Sequence, residues 1–377
     1  MYLKSLNLSN FKNYSESEIK FSAKINCFVG DNGVGKTNIL DAIHYLSLTK
    51  SYFTNIDSNC IKHGEDFFLI KGSFPSKEEI DIVFCGFQKG KKKTFKHNSK
   101  EYSRLADHIG LYPVVMISPA DSSIISDGSE ERRKFMNGVI SQYDRDYLDA
   151  VMRYNKALKN RNILLKQYGL KGGYDREMLQ LWEEQMIPAA EQVYSKRSMF
   201  LEELIPVFQE YYNHISDVRE KVDLQYKSQL KEGNLRELLE ASLQKDRVLQ
   251  YTTVGIHRDD MKLMMNKYPI RDLGSQGQQK SYMVALKLSK FEYIKKKGGV
   301  KPILLMDDIF DKFDASRVAR IIELVADERF GQIFITDTHR DRLNLILSGS
   351  HTDYKLFKID KDIEEIIVNG KASNNAS

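Results

Sequence analysis

Gly30-Asp31-Asn32-Gly33-Val34-Gly35-Lys36-Thr37 fits the phosphate-binding loop pattern G-x-x-x-x-G-K-[ST] at every required position. Before it, Lys24 to Val29 reads as a short buried strand; after it, Asn38 to Leu46 places apolar residues at helical spacing. A strand therefore enters a glycine-rich turn and leaves as a helix. Glycines at 30, 33 and 35 let backbone N–H groups turn inward on a polyphosphate, and the helix N-terminus adds its positive dipole end. In that setting Asp31, Asn32 and Val34 line the cradle, Lys36 reaches the β- and γ-phosphates, and Thr37 offers its hydroxyl to Mg²⁺, a cation that prefers hard oxygen ligands.

Composition bounds the rest. The chain has 377 residues, 41% hydrophobic, enough for two domains with a sizeable core. No apolar run approaches the roughly 20 residues that span a bilayer, and the N-terminus lacks a signal peptide's apolar block, so the expected location is the cytoplasm with no membrane partner. Cys27, Cys60 and Cys85 lie far apart without C-x-x-C spacing, which predicts buried thiols rather than zinc ligands or disulfides. A net charge of +5 is compatible with a polyanionic partner without specifying one.

Along the chain, alternation in Leu3 to Leu8 and around Ile19 and Phe21 predicts strands of a half-exposed sheet, with Lys12 either a solvated turn residue or an approach to the nucleotide. Strand signals continue through Phe68–Gly72 and Ile80–Phe84. The following stretch, residues 89–100, carries six lysines with Phe95 and His97 on an expected hairpin, read as a solvated edge or a phosphate-tracking surface. Residues 113–119 predict a buried strand. From 121 to 247 the pattern turns helical and charged: Ser129 to Arg132 reads as a capped helix start with an acidic first turn, and helices of about 30 residues give a compact lobe rather than a coiled-coil arm. Strand character returns at Val248 to Tyr251. Pro302 to Met306 and Gln332 to Thr336 read as buried parallel strands separated by a helix through Val318 and Val325. The expected architecture is α/β: an ATPase lobe built from 1–120 and 248–370, an inserted mainly helical lobe at 121–247, and a disordered tail at 371–377.

Asp307 and Asp308 close the apolar strand ending at Met306. In a phosphate-loop protein the first acid helps hold Mg²⁺ and the next orients the attacking water, which assigns Asp307 with Thr37 to the metal and Asp308 with Lys36 to catalysis. Leu273 to Lys280, before a good helix, resembles the signature turn of ATP-binding-cassette ATPases through Ser275, Gln276, Gly277 and Gln278. That resemblance implies two copies head to tail, each signature closing on its neighbour's ATP. It also places Asp314 at the dimer-crossing loop and His339, after the last core strand, as a γ-phosphate sensor. The glutamine that would complete the Mg²⁺ shell has no clear counterpart, and Ser118 to Asp121 occupies its place.

Taken together, Leu8-Ser9-Asn10-Phe11-Lys12-Asn13-Tyr14, the extended loop through Tyr52, the run from Ile117 to Phe135, Gly255-Ile256-His257-Arg258-Asp259-Asp260, the Ser275 to Lys280 signature and Leu304 to Asp308 resemble the RecF family of bacterial replication and repair proteins. The resemblance implies an ATPase head of the Rad50/SMC kind that forms an ATP-dependent homodimer on DNA and assists RecA loading with RecO and RecR, with a link to the SOS response. Where that family has S-E-L-D, this chain has Asp311-Lys312-Phe313-Asp314, which keeps the terminal acid. Arg132, Arg133, His257, Arg258, Asp259 and Asp260 match family segments, with structural ion pairing and DNA contact both open. Alternatives are a non-hydrolysing ATP-gated DNA-binding module and another SMC or cassette ATPase.

Overall fold

The computed structural model describes residues 1–76, 79–171, 175–216, 220–310, 313–326, 329–339, 353–360 and 363–366. Its contacts divide the chain into two compact units, Met1–Ala120 with Gly298–Ser377, and Asp121–Lys297.

The first unit contains two six-stranded sheets with a helix among their core residues. Strands β1 (Ser5–Phe11) and β2 (Tyr14–Lys20) form the first hairpin, followed by β3 (Ile25–Val29), α1 (Lys36–Leu48), β4 (Phe67–Pro75), β5 (Ile80–Gln88), β6 (Thr94–His97), β7 (Lys100–Glu101) and β8 (Val114–Ile117). One sheet is antiparallel in the order β2-β1-β4-β5-β6-β7. Its strands alternate buried and exposed residues, as a sheet packed on one face requires. Ten of the thirteen residues of α1 are buried. Six of them, Ile39, Leu40, Ala42, Ile43, Tyr45 and Leu46, join Leu6, Leu8, Phe68 and Ile70 from one sheet and Phe28, Leu305 and Phe334 from the other in a single apolar cluster.

The second sheet carries the loop. In chain order its remaining strands are β12 (Ile303–Asp307), β13 (Ile333–Asp337), β14 (Tyr354–Ile359) and β15 (Ile363–Ile366), with α9 (Ala315–Ala326) between β12 and β13. The order is β15-β14-β3-β13-β12-β8, parallel except for the β14–β15 hairpin. Every residue of β3, β8, β12 and β13 is buried, the pattern of parallel strands covered on both faces. Register aligns the strand ends: Thr336 lies beside Asp307, and Asp337 beside Val29.

The second unit comprises α2 (Ser123–Ser126), α3 (Ser129–Ile140), α4 (Arg145–Lys171), α5 (Arg176–Ile215), β9 (Val222–Lys227), α6 (Leu235–Leu249), β10 (Asp260–Met265), β11 (Tyr268–Pro269), α7 (Ile270–Leu273) and α8 (Gln276–Gly298). Four expectations change here. Beside its helices the lobe carries a small antiparallel sheet, in which β9 and β11 pair with β10. That pairing, and α8 behind it, place 248–297 with the second unit rather than with the ATPase lobe. Val248 and Leu249 end α6 instead of starting a strand; their β-branched and apolar character reflects exposure at a helix terminus, and Gln250 closes it in a left-handed conformation. Ser129 is the first helical residue of α3, whose N-cap is Gly128 with no side-chain bond, so the acidic first turn of Glu130 and Glu131 supports that end without a cap. Helix α5 runs 40 residues, longer than expected, because its buried stripe continues unbroken from Leu179 to Ile215. Among the described residues, no helix is long and apolar enough to cross a membrane.

An ionic cluster fixes how α4, α5 and α6 pack. Arg161, fully buried, donates to Glu183 at 3.0 Å, to Asp246 at 2.7 Å and to Thr252 at 2.8 Å. Breaking such a cluster leaves uncompensated buried carboxylates. Arg161→Met should lower the unfolding free energy by about 3 to 5 kcal/mol, read as a reduced urea midpoint with unchanged slope.

Candidate nucleotide-binding site

The loop from β3 to α1 has a built support. Gly33 and Gly35 take φ of +85° and +114°, left-handed values that a side chain strains. At Gly30 the constraint is space: a Cβ there would meet the carbonyl oxygen of Ile359 on β14 at 2.2 Å. The turn between β1 and β2 props the loop from beneath. Asn13 donates through Nδ2 to the Val34 carbonyl at 2.9 Å and accepts from Asn38 at 2.7 Å, while the Tyr14 hydroxyl donates to the Gly35 carbonyl at 3.2 Å. Asp31, Asn32 and Gly33 remain exposed. Lys36 folds back across the loop, its Nζ donating to the carbonyls of Gly30 and Asp31, each at 2.8 Å. Burial lowers the pKa of this ammonium, opposed by the charges of Asp308, Asp307, Asp337 and Asp31. A ring of acids thus surrounds the one cation of the loop.

Asp307, at the end of β12, is 4% exposed. Its Oδ1 accepts from Thr37 at 2.8 Å and from Thr336 at 2.9 Å, and its Oδ2 from Ser118 at 3.4 Å. Burial raises its pKa, and these three hydroxyls work against that rise. Hydroxyl and carboxylate oxygens so disposed are the donor set that suits a small hard divalent cation. Ser118 therefore stands where a missing glutamine was sought. Asp308 follows with φ of +47°, and His339, exposed at the exit of β13, gives its backbone N–H to Asp337 at 2.8 Å.

The other sequence candidates lie elsewhere. Lys12 is half-buried: its ammonium pairs with fully buried Asp41 at 2.6 Å and lies over the Phe53 ring at 5.1 Å. Asp314 is exposed and accepts from the Arg317 N–H at 2.9 Å, which makes it the N-cap of α9. Lys312 and Asp311 fall outside the described residues. Within the lysine stretch, Lys93 turns inward onto the Tyr45 hydroxyl at 2.9 Å and the Thr49 carbonyl at 2.7 Å, whereas Lys89, Lys91, Lys92 and Lys100 are exposed.

In the second unit, Ser275 and Gln278 form a reciprocal capping box at the start of α8: the Ser275 N–H donates to Gln278 Oε1 at 2.8 Å, and the Gln278 N–H to Ser275 Oγ at 3.3 Å. Gln276 is exposed and Gly277 half-buried in the first turn. The Gly255 to Asp260 segment is a structural knot. Buried Asp259 accepts from Arg197 and from Tyr226, both at 2.6 Å, Arg132 pairs with Asp260 at 2.6 Å, and Arg133 donates to the Asp259 carbonyl at 2.7 Å. His257 bridges the Tyr154 hydroxyl at 2.7 Å and the Thr252 carbonyl at 3.0 Å, and burial lowers its pKa to about 4. Arg258 alone of this segment's charged residues is exposed.

Phosphate-loop strand and helix, a parallel sheet ending in paired acids, and a capped serine-glycine turn at the head of a separate helix define an α/β ATPase head of the ATP-binding-cassette type. SMC heads share the fold: one from Pyrococcus furiosus superposes with a TM-score of 0.56 at 18% identity over 97% of this chain and 96% of that one. The RecF/RecN/SMC N terminal domain family matches residues 2–363. The chain belongs to the RecF family of DNA replication and repair proteins. It is 50% identical over 362 residues to the RecF of Phocaeicola vulgatus, covering 96% of this chain and 97% of the relative, and 48% identical over 359 residues to that of Flavobacterium johnsoniae, covering 95% and 100%. A solved structure of the recombination mediator protein RecF with ATP matches with a TM-score of 0.87 at 30% identity, covering 97% of this chain and 98% of that one.

Two glycine substitutions separate the constraints on the loop. Gly33→Ala has open space for its Cβ and should cost only the backbone penalty, about 1 to 2 kcal/mol. Gly30→Ala must displace β14 and should cost about 1 to 3 kcal/mol from overpacking, with a lower thermal midpoint than Gly33→Ala.

Proposed function

We propose that the chain is an ATP-gated DNA-binding protein of recombinational repair. ATP with Mg²⁺ occupies the Gly30–Thr37 loop, the Ser275–Gln278 turn of a second copy closes on the same triphosphate, and the closed homodimer grips DNA at gaps and stalled forks. RecO and RecR are its partners in assisting RecA. The observation that carries this reading is the meeting of Thr37 with Asp307 at 2.8 Å beside Lys36, in a chain whose relatives share nearly its whole length.

Thr37 and Asp307, with Ser118 adjacent, would hold Mg²⁺, which would supply charge neutralisation to the triphosphate. Lys36 can exchange its two carbonyl partners for phosphate oxygens without leaving the loop. Asp308 orients a water whose oxygen forms the new bond to the γ-phosphorus as the bond to the β,γ-bridging oxygen breaks; ADP leaves as the oxyanion and the water's proton ends on inorganic phosphate. In this reading His339, which follows β13, senses the γ-phosphate, and Asp314 at the head of α9 belongs to the loop that meets the partner copy. An aspartate at 308 is one methylene shorter than a glutamate, and a misplacement of about 1 Å can cost on the order of 100-fold in rate, so turnover is slow and hydrolysis acts as a release switch.

Light scattering tests the assembly. The wild type should move from monomer to dimer mass with ATP, and Lys36→Ala should remain monomeric; a wild type that stays monomeric with ATP and gapped DNA overturns the reading. DNA contact through basic residues also predicts salt dependence, with the log–log slope of affinity falling by about 0.9 for each phosphate contacted. Titration with labelled gapped DNA between low and high salt measures that slope, and an affinity indifferent to salt rejects phosphate contact.

A further inference from the structure

Asp308 is the residue of the site whose backbone conformation is unexplained by local sequence. Its φ of +47° is left-handed, a region an aspartate enters at a cost and normally only in turns or caps held by their surroundings. What holds it is visible across the strand pair. The Asp308 N–H donates to Thr336 twice, to Oγ1 at 2.9 Å and to the carbonyl oxygen at 3.2 Å. The same Thr336 hydroxyl gives its proton to Asp307 Oδ1 at 2.9 Å. Thr336 is fully buried, and the register of β12 on β13 sets it directly beside Asp307.

A threonine hydroxyl has one proton and two acceptor positions. Here the proton is committed to Asp307, so an acceptor lone pair is left facing the next residue's amide. One oxygen therefore reads both acids, fixing the carboxylate of the first and the backbone of the second. Valine has the same shape and neither function.

We infer that Thr336 is a positioning residue for hydrolysis, its hydroxyl locking Asp308 in the left-handed conformation that aims the Asp308 carboxylate at the attacking water. The inference rests on the proposed role of Asp308 and names what sets its geometry. It accounts for how an acid one methylene short is still presented in a single fixed orientation. Thr336 acts through the two acids, holding the Asp308 backbone and the Asp307 carboxylate.

The test compares Thr336→Val, Thr336→Ser and Thr336→Cys in the full chain. Single-turnover ATP hydrolysis by Thr336→Val should fall on the order of 100-fold, as expected of a misplaced catalytic group, while the affinity for a fluorescent ATP analogue changes by less than about threefold. Thr336→Ser, which retains the hydroxyl, should restore most of the rate, and Thr336→Cys, a weaker acceptor, should fall between. Amide hydrogen exchange provides a readout independent of turnover: residues 303–310 should exchange faster in Thr336→Val and return to wild-type protection in Thr336→Ser. Wild-type hydrolysis or wild-type protection in Thr336→Val overturns the inference, as does equal impairment of Val and Ser; if Val does not fold, the Ser and Cys pair decides by the same order. Asp308→Asn separates the premise: if it hydrolyses like the wild type, the role of Asp308 fails, whereas the exchange data still report whether Thr336 holds that backbone.

Discussion

One buried carboxylate organises the ATPase unit. Asp307 sits almost out of solvent, where an ionised acid is costly unless hydrogen bonds replace its water. Three hydroxyls do so, and they come from three distant stretches of chain: Thr37 at the start of α1, Ser118 after β8 and Thr336 on β13. Satisfying that acid therefore requires the parallel sheet to close in a single register, with β12 between β8 and β13. The chemistry of the site and the topology of the sheet are consequences of the same demand.

The antiparallel sheet has a different task. Its first hairpin presents Asn13 and Tyr14 to the carbonyls of Val34 and Gly35, which holds the loop open without placing a side chain inside it. The same turn sends Lys12 to Asp41 on α1, and Asp41 in turn accepts from Ser51 at 2.7 Å and from the Tyr52 N–H at 2.7 Å. Loop and helix are thus tied to the hairpin on both sides. Lys36 donates its charged ammonium to two neutral carbonyl acceptors, which a polyphosphate can replace.

The second unit is held by charges buried in pairs rather than by apolar packing alone. Arg161 and Arg197 each pair with a buried aspartate, and Tyr147, Tyr226 and Thr252 add further hydrogen bonds to these groups. Most of the Gly255 to Asp260 motif serves this network. Removing one partner of a buried ion pair leaves an uncompensated charge; here the Arg197–Asp259 pair ties α5 to the start of β10.

Much was legible in the residues alone. Glycine spacing, the adjacent lysine and threonine, and apolar runs ending in acids gave the loop, α1, β3, β12 and β13, because steric and phosphate-binding constraints there are local. The motifs from Leu8 to Asp308 also carried the family. Other features had no local signal. The strand character assigned to Val248 to Tyr251 was a helix end, and β9 and β14 passed unseen. Asn13, Tyr14 and Thr336 are ordinary polar residues until strand pairing sets them against the loop and the acids. Sequence determined which chemistry this protein carries, since that depends on residue type at short spacing; tertiary structure alone decided which hydroxyls reach Asp307 and which backbone bends at Asp308, since those depend on strand register and on contacts between segments 28 to 270 residues apart.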